Sequence, residues 1–344
     1  VALVGGLLMS RLTRLLHLPA VTAYLVAGLL LGPFFLGRLN VPGLGFNTLD
    51  EVNILSIVSQ TALGFIAFAM GNEFRLSQLR TIGSRAIIIG ILQAVITTVV
   101  VDVVLLLLHL FFPHIISVPC AITLGAIAAA TAPAATLMVV RQYKADGPMT
   151  RLLMLVVALD DAVGLLLFSV SFGIATALSN GQVSVLAVVV EPIVEILLSV
   201  GLGGFMGLLL HWVERFFHSR SKRMSLSVAF VMLTVGLSML EFQIGPVHCG
   251  FSLLLVCMMT GTIFCNVCPT SEELMERVDG WTMPLNILFF VISGAELDLN
   301  VLSQPVTLIV GIIYIIARSA GKYCGANLSC RITKEPKSIV DHLG

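Results

Sequence analysis

Two adjacent carboxylates, Asp160 and Asp161, lie in the middle of an apolar stretch that runs from residue 149 to residue 178. The stretch can cross a bilayer as a helix, because a span needs about 20 apolar residues. A charged side chain at the bilayer centre costs at least ~2.5–3.5 kcal/mol, so such residues usually serve a function. Carboxylate oxygens bind hard cations and also protons. We therefore predict that this pair binds cations and protons.

Two further segments place unusual residues at a similar depth. Measured from the basic residue at the inner end of each segment, Asp160 and Lys322 both lie roughly 14 Å deep, and Thr131-Ala132-Pro133 lies roughly 12 Å deep. Proline removes a helical hydrogen bond and clashes with the preceding turn. The helix around Pro133 is therefore predicted to break and to expose backbone carbonyls as cation ligands.

The two aspartates are predicted to have different partners, because neighbouring residues on a helix point about 100° apart. One is expected to meet Lys322 and the other to face a water-filled cavity. Arg318 lies four residues before Lys322 on the same helix face and is expected to make a structural ion pair. Simpler interpretations stay open: a purely structural Asp–Lys pair, an ordinary proline kink, and a Lys322 side chain that extends to the membrane interface.

The remainder of the chain is composed of apolar helices that must hold these residues. Of 344 residues, 58% are apolar and 11% are charged, against about 25% charged in soluble domains. The mean hydropathy is +1.04. We predict an all-α polytopic membrane protein with no nucleic-acid partner, and no cofactor is expected because the cysteines are scattered. Eleven apolar segments are predicted at about 1–9, 19–33, 53–71, 84–108, 118–140, 151–178, 184–212, 224–241, 245–264, 281–296 and 302–328.

Charged loops and an internal repeat organise these segments. All but three of the 19 lysines and arginines fall in one alternate set of loops, the exceptions being Arg38, Arg318 and Lys322. Basic loops stay in the cytoplasm, so the N-terminus is predicted outside and the C-terminus inside.

The pattern Gly-x-Glu-φ-x-Leu occurs at 71–76 and again, in inverted orientation, at 294–299. Inverted repeats are typical of secondary transporters, and this one places the equivalent of the helix break beyond Gly344.

The run TAPAATLMVVRQYKADGPMTRLLMLVVALDDAVGLLLF resembles the broken helix, loop and paired-aspartate helix of the cation/proton antiporter superfamily. The resemblance is to the bacterial sodium/proton antiporter branch with paired aspartates. The segments LHLPAVTAYLVAGLLLGP, FFVISGAELDL and ARSAGKYCG are similar as well, so the likeness covers nearly the whole chain. Ala132 is a departure, because many relatives carry Asp or Ser between the threonine and the proline. It removes a side-chain ligand and bears on ion selectivity.

The resemblance implies an inverted-repeat antiporter fold of thirteen helices, eleven of which are represented here, with two broken helices that cross near the ion site. It implies a dimerisation side at 1–80 and 223–300, a core ion-transport domain at 81–180 and 301–344, and a linker helix at 181–222. Asp161 would be the main Na⁺ and proton site. Asp160 would pair with Lys322, which would release its proton when the cation binds.

These features predict a secondary antiporter, and not an enzyme, that exchanges protons for Na⁺ or Li⁺ by alternating access of the core domain. The resemblance implies electrogenic exchange by a homodimer in the lipid bilayer of a bacterial inner membrane. A K⁺/proton antiporter of the potassium-efflux type and a non-transporting membrane sensor on the same fold stay open as alternatives. An intramembrane aspartyl protease is disfavoured, because it needs two aspartates on separate helices.

Overall fold

The computed structural model describes residues 1–15, 20–39, 41, 45–71, 74–76, 84–131, 147–179, 191–240, 242–244, 247–298, 304–336 and 340. Over these residues the chain is helical apart from one short β-hairpin. The α-helices are α1 (Ala2–Leu15), α2 (Ala20–Leu31), α3 (Leu49–Asn53), α4 (Ser56–Gly71), α5 (Ser84–Phe111), α6 (Val118–Ala129), α7 (Pro148–Ser179), α8 (Glu191–Glu214), α9 (Arg220–Ser238), α10 (Leu253–Val267), α11 (Ser271–Ala295) and α12 (Pro305–Ile332), and a 3₁₀ turn covers Leu36–Leu39. The predicted all-α class is confirmed.

Several of these helices have the dimensions of membrane spans. Within the described residues, four stretches are long and apolar enough to cross a bilayer: Ala20–Leu39, Arg85–Phe111, Ile193–Glu214 and Pro305–Ile332. Helix α11 adds a fifth if its two halves, which meet at a 42° bend just before Gly280, are one span. Pro284 accounts for the bend, because it lacks the N–H that would bond to the carbonyl of Gly280.

Two element boundaries differ from the sequence prediction. The ninth apolar segment was expected to start at 245, but a hairpin pairs Phe242–Ile244 with Val247–Cys249, and α10 begins only at Leu253. The tenth segment was expected at 281, but α11 begins ten residues earlier. Its first turn carries Glu272 and Glu273, which stabilise a helix N-terminus through the helix dipole although they are not apolar.

The chain divides into two compact units. The first contains Val1–Arg75, Ser199–Leu240 and Leu253–Ser303, and the second contains Leu76–Leu198, Glu241–Ser252 and Gln304–Gly344. Every described residue of the predicted ion site belongs to the second unit.

In the first unit, the repeated Gly-x-Glu motif marks two close helix contacts. A Cβ on Gly71 of α4 would overlap the carbonyl oxygen of Met258 on α10. A Cβ on Gly294 of α11 would overlap the carbonyl oxygen of Leu25 on α2. Small residues let apolar helices approach to backbone contact, which is how helices associate in a bilayer. The two copies of the motif therefore make the same kind of contact.

A buried ion pair in the first unit holds the end of α8 against the start of α9. Glu214 at the end of α8 lies 3.0 Å from Arg223 of α9, and its side chain is only 4% exposed. Thr270 donates a hydrogen bond to the same carboxylate at 3.0 Å. The buried thiol of Cys268 lies beside this pair, and burial raises its pKa. These contacts join the ends of three helices.

In the second unit, α12 lies directly against α5 through the pattern Gly321-x-x-x-Gly325. A Cβ on Gly325 would lie 2.9 Å from the carbonyl oxygen of Gln93, and a Cβ on Gly321 would lie 3.2 Å from the Cα of Thr97. Side chains at these positions would force the helices apart. The two glycines therefore set the position of Lys322, which lies between them.

Candidate functional site

Asp160 is the centre of a buried hydrogen-bond network. Its side chain is 1% exposed, and its Oδ2 atom accepts three hydrogen bonds. The donors are the amide of Gln93 at 3.1 Å, the hydroxyl of Thr131 at 2.7 Å and the ammonium of Lys322 at 2.7 Å. The other oxygen, Oδ1, is buried and has no partner among the described residues. Oδ2 thus accepts all three of the described hydrogen bonds to this carboxylate, and Oδ1 accepts none of them.

The ammonium group of Lys322 has three acceptors among the described residues. Besides Asp160, it donates to the hydroxyl of Thr131 at 2.7 Å and to the carbonyl oxygen of Ala129. An ammonium carries three N–H donors, so these three contacts can use one each. The Thr131 hydroxyl accepts from Lys322 and donates to Asp160, so its single proton is also used. This arrangement fits a charged lysine beside an ionised carboxylate.

Helix α6 ends inside this network. Ser117 caps its start by accepting a hydrogen bond from the N–H of Cys120. The helix stops at Ala129, because Ala130 has extended backbone angles (φ −63°, ψ 144°). The sequence predicted a break at Thr131-Ala132-Pro133, and the described helix ends just before it. Ala132 and Pro133 themselves lie outside the described residues.

Arg318 lies beside the end of α6. Within the described part of the chain its guanidinium contacts backbone carbonyls, those of Ala128 at 3.2 Å and Ala130 at 2.7 Å, and its predicted structural ion pair stays a prediction. The last carbonyls of a helix lack partners in the helix and carry a partial negative charge. A helix that ends within a bilayer needs donors for them, and Arg318 and Lys322 supply these donors.

Helix α7 brings Asp160 to the end of α6 through Gly164, one turn further along α7. A Cβ on Gly164 would be 3.4 Å from the backbone of Ala130, so the two helices are in close contact there. Asp161 is the next residue of α7, but its side chain is outside the described residues. Its predicted role as the Na⁺ and proton site stays a prediction.

Gln93 is the site residue that the sequence analysis missed. It is 6% exposed, and its backbone carbonyl accepts a hydrogen bond from Thr97 at 2.7 Å. A glutamine within a largely apolar run of α5 was the available signal. Uncharged polar residues are common in membrane helices, however, and only the contact with Asp160 gives this one a role.

A lysine–aspartate pair buried where a helix ends, within a bundle of apolar helices, is typical of secondary ion transporters. The chain belongs to the family described as sodium/hydrogen exchanger, transmembrane, which it matches over residues 1–341. It is therefore a membrane transporter of the cation/proton exchange class, and not an enzyme.

Individual relatives are distant. The chain is 24% identical over 353 residues to the Na(+)/H(+) antiporter NhaS4 of Synechocystis sp., covering 98% of this chain and 81% of that protein. It is 31% identical over 94 residues to K(+) efflux antiporter 5 of Arabidopsis thaliana, covering 27% of this chain and 14% of that protein.

Among solved structures, the fold resembles that of the sodium proton antiporter MjNhaP1 from Methanocaldococcus jannaschii at pH 8. The TM-score is 0.72 at 20% identity, over 99% of this chain and 79% of that one. A second structure of the same antiporter gives a TM-score of 0.68 at 18% identity, over 100% of this chain and 79% of that one. The predicted polytopic antiporter fold is confirmed.

Proposed function

We propose that this protein exchanges Na⁺ or Li⁺ for protons, with Asp160, Asp161 and Lys322 as its ion site. The observation that supports this most is the 2.7 Å contact between Asp160, which is 1% exposed, and Lys322, whose side chain is 18% exposed. A lysine in an apolar environment keeps its charge only while an anion holds it. The contact therefore couples the charge of the carboxylate to the proton of the lysine.

The exchange follows from competition at the carboxylates. When Na⁺ binds between Asp161 and Asp160, it displaces the proton of Asp161 and neutralises the charge that holds Lys322 protonated, so the lysine releases a second proton. When two protons return, one to each group, the cation leaves and the pair of Asp160 with Lys322 forms again. Cation and protons thus exclude each other from one site, as strict exchange requires.

The groups around Asp160 suit both the proton-loaded and the cation-loaded state of such a site. Oδ1 of Asp160 is free to bind a cation while Oδ2 holds its three donors. Thr131, and by its position the segment through Ala132 and Pro133, would add oxygen ligands from the helix break. Hard cations prefer such oxygen ligands.

Residues 181–222, which the division into two units cuts between Leu198 and Ser199, are assigned as the linker helix. The rest of the second unit is assigned as the core transport domain, which would carry out alternating access, and the rest of the first unit as the dimerisation side of a homodimer. The basic loops support an orientation with the N-terminus outside and the C-terminus in the cytoplasm, which we propose for a bacterial inner membrane. Two carboxylates and a lysine can carry more protons than one cation neutralises, so we propose electrogenic exchange.

K⁺/proton exchange is the second candidate. It is favoured by the 31% identity to K(+) efflux antiporter 5, although that match covers only 94 residues. A K⁺ exchanger would use the same carboxylates, so the site geometry fits either cation. Transport measurements separate the two.

The deciding experiment uses the full-length protein in proteoliposomes with an imposed proton gradient. Na⁺, Li⁺ and K⁺ are added in turn while the internal pH is followed. Dissipation by Na⁺ or Li⁺ that is abolished in Asp161→Asn would support the proposal, and dissipation by K⁺ alone would favour the second candidate. Asp50→Asn, at an exposed acid of α3, is the matched control and should exchange normally. No response to any cation from folded wild-type protein would refute exchange.

A further inference from the structure

A second carboxylate lies within the apolar helix α5, away from the ion site. Asp102 is nine residues beyond Gln93, which corresponds to roughly 14 Å along the helix. Its Oδ1 atom is buried and has no hydrogen-bond partner among the described residues. The exchange mechanism above does not use this group.

The backbone of α6 is shaped around this carboxyl group. A Cβ on Gly125 would overlap Oδ1 of Asp102, so the carboxyl group lies directly against the bare backbone of the neighbouring helix. The flanking residues of α5, Val101 and Leu105, are completely buried in an apolar cluster with Ala121 of α6. Asp102 as a whole is half-buried, but its Oδ1 atom is enclosed and meets no cation or hydrogen-bond donor among the described residues.

Among the described residues, the charged groups on the helices around α5 are engaged elsewhere. Helix α6 carries no acidic or basic residue. On α12, Arg318 binds backbone carbonyls and Lys322 pairs with Asp160 of α7, while Tyr314 packs in the apolar cluster. On α5 itself, Nδ1 of His109 lies 2.7 Å from the carbonyl oxygen of Ile116. No ion-pair partner for Asp102 is present in the described part of the chain.

We infer that Asp102 is a second proton-binding site, protonated in the conformation described here. A carboxylate that is partly withdrawn from water, with no described cation or donor beside it, favours its neutral, protonated form. A metal cation would need several oxygen ligands. The other buried polar atom on this part of α5 that lacks a partner in the described structure is the hydroxyl of Thr98, one turn away. A proton needs only the carboxyl group itself.

The position of Asp102 assigns it a part in proton supply, an inference that rests on the proposed function. From Asp102, polar side chains continue along α5 through Thr98 and Thr97 to Gln93, whose amide holds Asp160. In the proposed orientation, Asp102 is on the extracellular side of the ion site. It would bind a proton from outside and release it towards the site.

Infrared spectroscopy of the full-length protein tests protonation directly. A neutral carboxylic acid has a C=O absorption separate from that of a carboxylate, and the band shifts in D₂O. At neutral pH, Asp102→Asn should lose one such band relative to wild type. Asp50→Asn, which removes an exposed acid, should lose none. A spectrum of Asp102→Asn that keeps every protonated-carboxyl band would overturn the inference.

Transport separates this inference from the proposed function. In proteoliposomes, the dependence of exchange on external pH should be lost in Asp102→Asn while the dependence on internal pH persists. Unchanged dependence on both sides would refute the proton-supply role. If the wild type exchanges no cation, the proposed function fails, yet the infrared band still decides whether Asp102 is protonated. Thermal unfolding close to that of wild type establishes that the variant is folded.

Discussion

Lys322→Met tests whether the buried ion pair is arranged as described. Methionine keeps much of the length of the side chain but removes the ammonium group that contacts Asp160, Thr131 and Ala129. Because Asp160 is 1% exposed, water cannot replace the lost partner. Removing one member of a buried ion pair costs about 3–5 kcal/mol. We expect Lys322→Met to lose this much of the free energy of unfolding.

The double variant Asp160→Asn/Lys322→Met distinguishes an ion pair from simple packing. Replacing both charges of a buried pair by neutral groups is often close to neutral in stability. The double variant should therefore recover most of the loss, with a coupling energy of about 2–3 kcal/mol. Because a lone carboxylate reduces its cost by taking up a proton, the loss in Lys322→Met should shrink at acidic pH.

Unfolding by SDS titration in mixed micelles measures these free energies. Lys222→Met is the matched control, since Lys222 is exposed, and it should change stability by less than about 0.5 kcal/mol. The reasoning is refuted if Lys322→Met is as stable as this control, or if the double variant is no more stable than Lys322→Met.

Three further outcomes follow from the same contacts. Gly325→Ala should destabilise the protein by about 1–3 kcal/mol, because the added Cβ would meet the carbonyl oxygen of Gln93 at 2.9 Å. Gly311→Ala, on the same helix, places its Cβ in open space and should not destabilise the protein. SDS titration compares the two variants. Thr131→Val should lower the free energy of unfolding by about 1–3 kcal/mol, because Lys322 loses an acceptor and Asp160 loses a donor. Thr131→Ser keeps the hydroxyl and should have nearly wild-type stability in the same titration. In a variant that keeps Cys268 as its only cysteine, the thiol should react slowly with maleimide at neutral pH in the folded protein and quickly in SDS. Burial shields this thiol and raises its pKa, which keeps it in the unreactive protonated form. Fast labelling of the folded protein would contradict this.

The sequence predicted the elements that depend on local physics. Apolar length identifies the membrane helices, and the proline at 133 predicts the end of α6, which the structure places at Ala129. Helix rise gives Asp160 and Lys322 the same depth, and the structure brings these two residues together. Their role in transport stays a prediction.

Other features depend on which helices are neighbours, and periodicity does not contain that information. Gln93 acquires a role only because α7 brings Asp160 within hydrogen-bond distance of its amide. Arg318 contacts the carbonyl of Ala130 only because α6 ends beside it, and the sequence does not show that these two helices are neighbours. The hairpin at 242–249 was missed because its valine and cysteine suit the start of an apolar helix as well as a strand.

Proton release on cation binding tests the central claim most directly. Purified full-length protein in weakly buffered detergent solution is mixed with Na⁺, and the pH of the solution is followed. If cation and protons compete at Asp160 and Asp161, Na⁺ acidifies the solution for the wild type and has no such effect on Asp160→Asn/Asp161→Asn. Acidification of the same size in that double variant, or none in wild-type protein shown to bind Na⁺, would contradict the proposed exchange site.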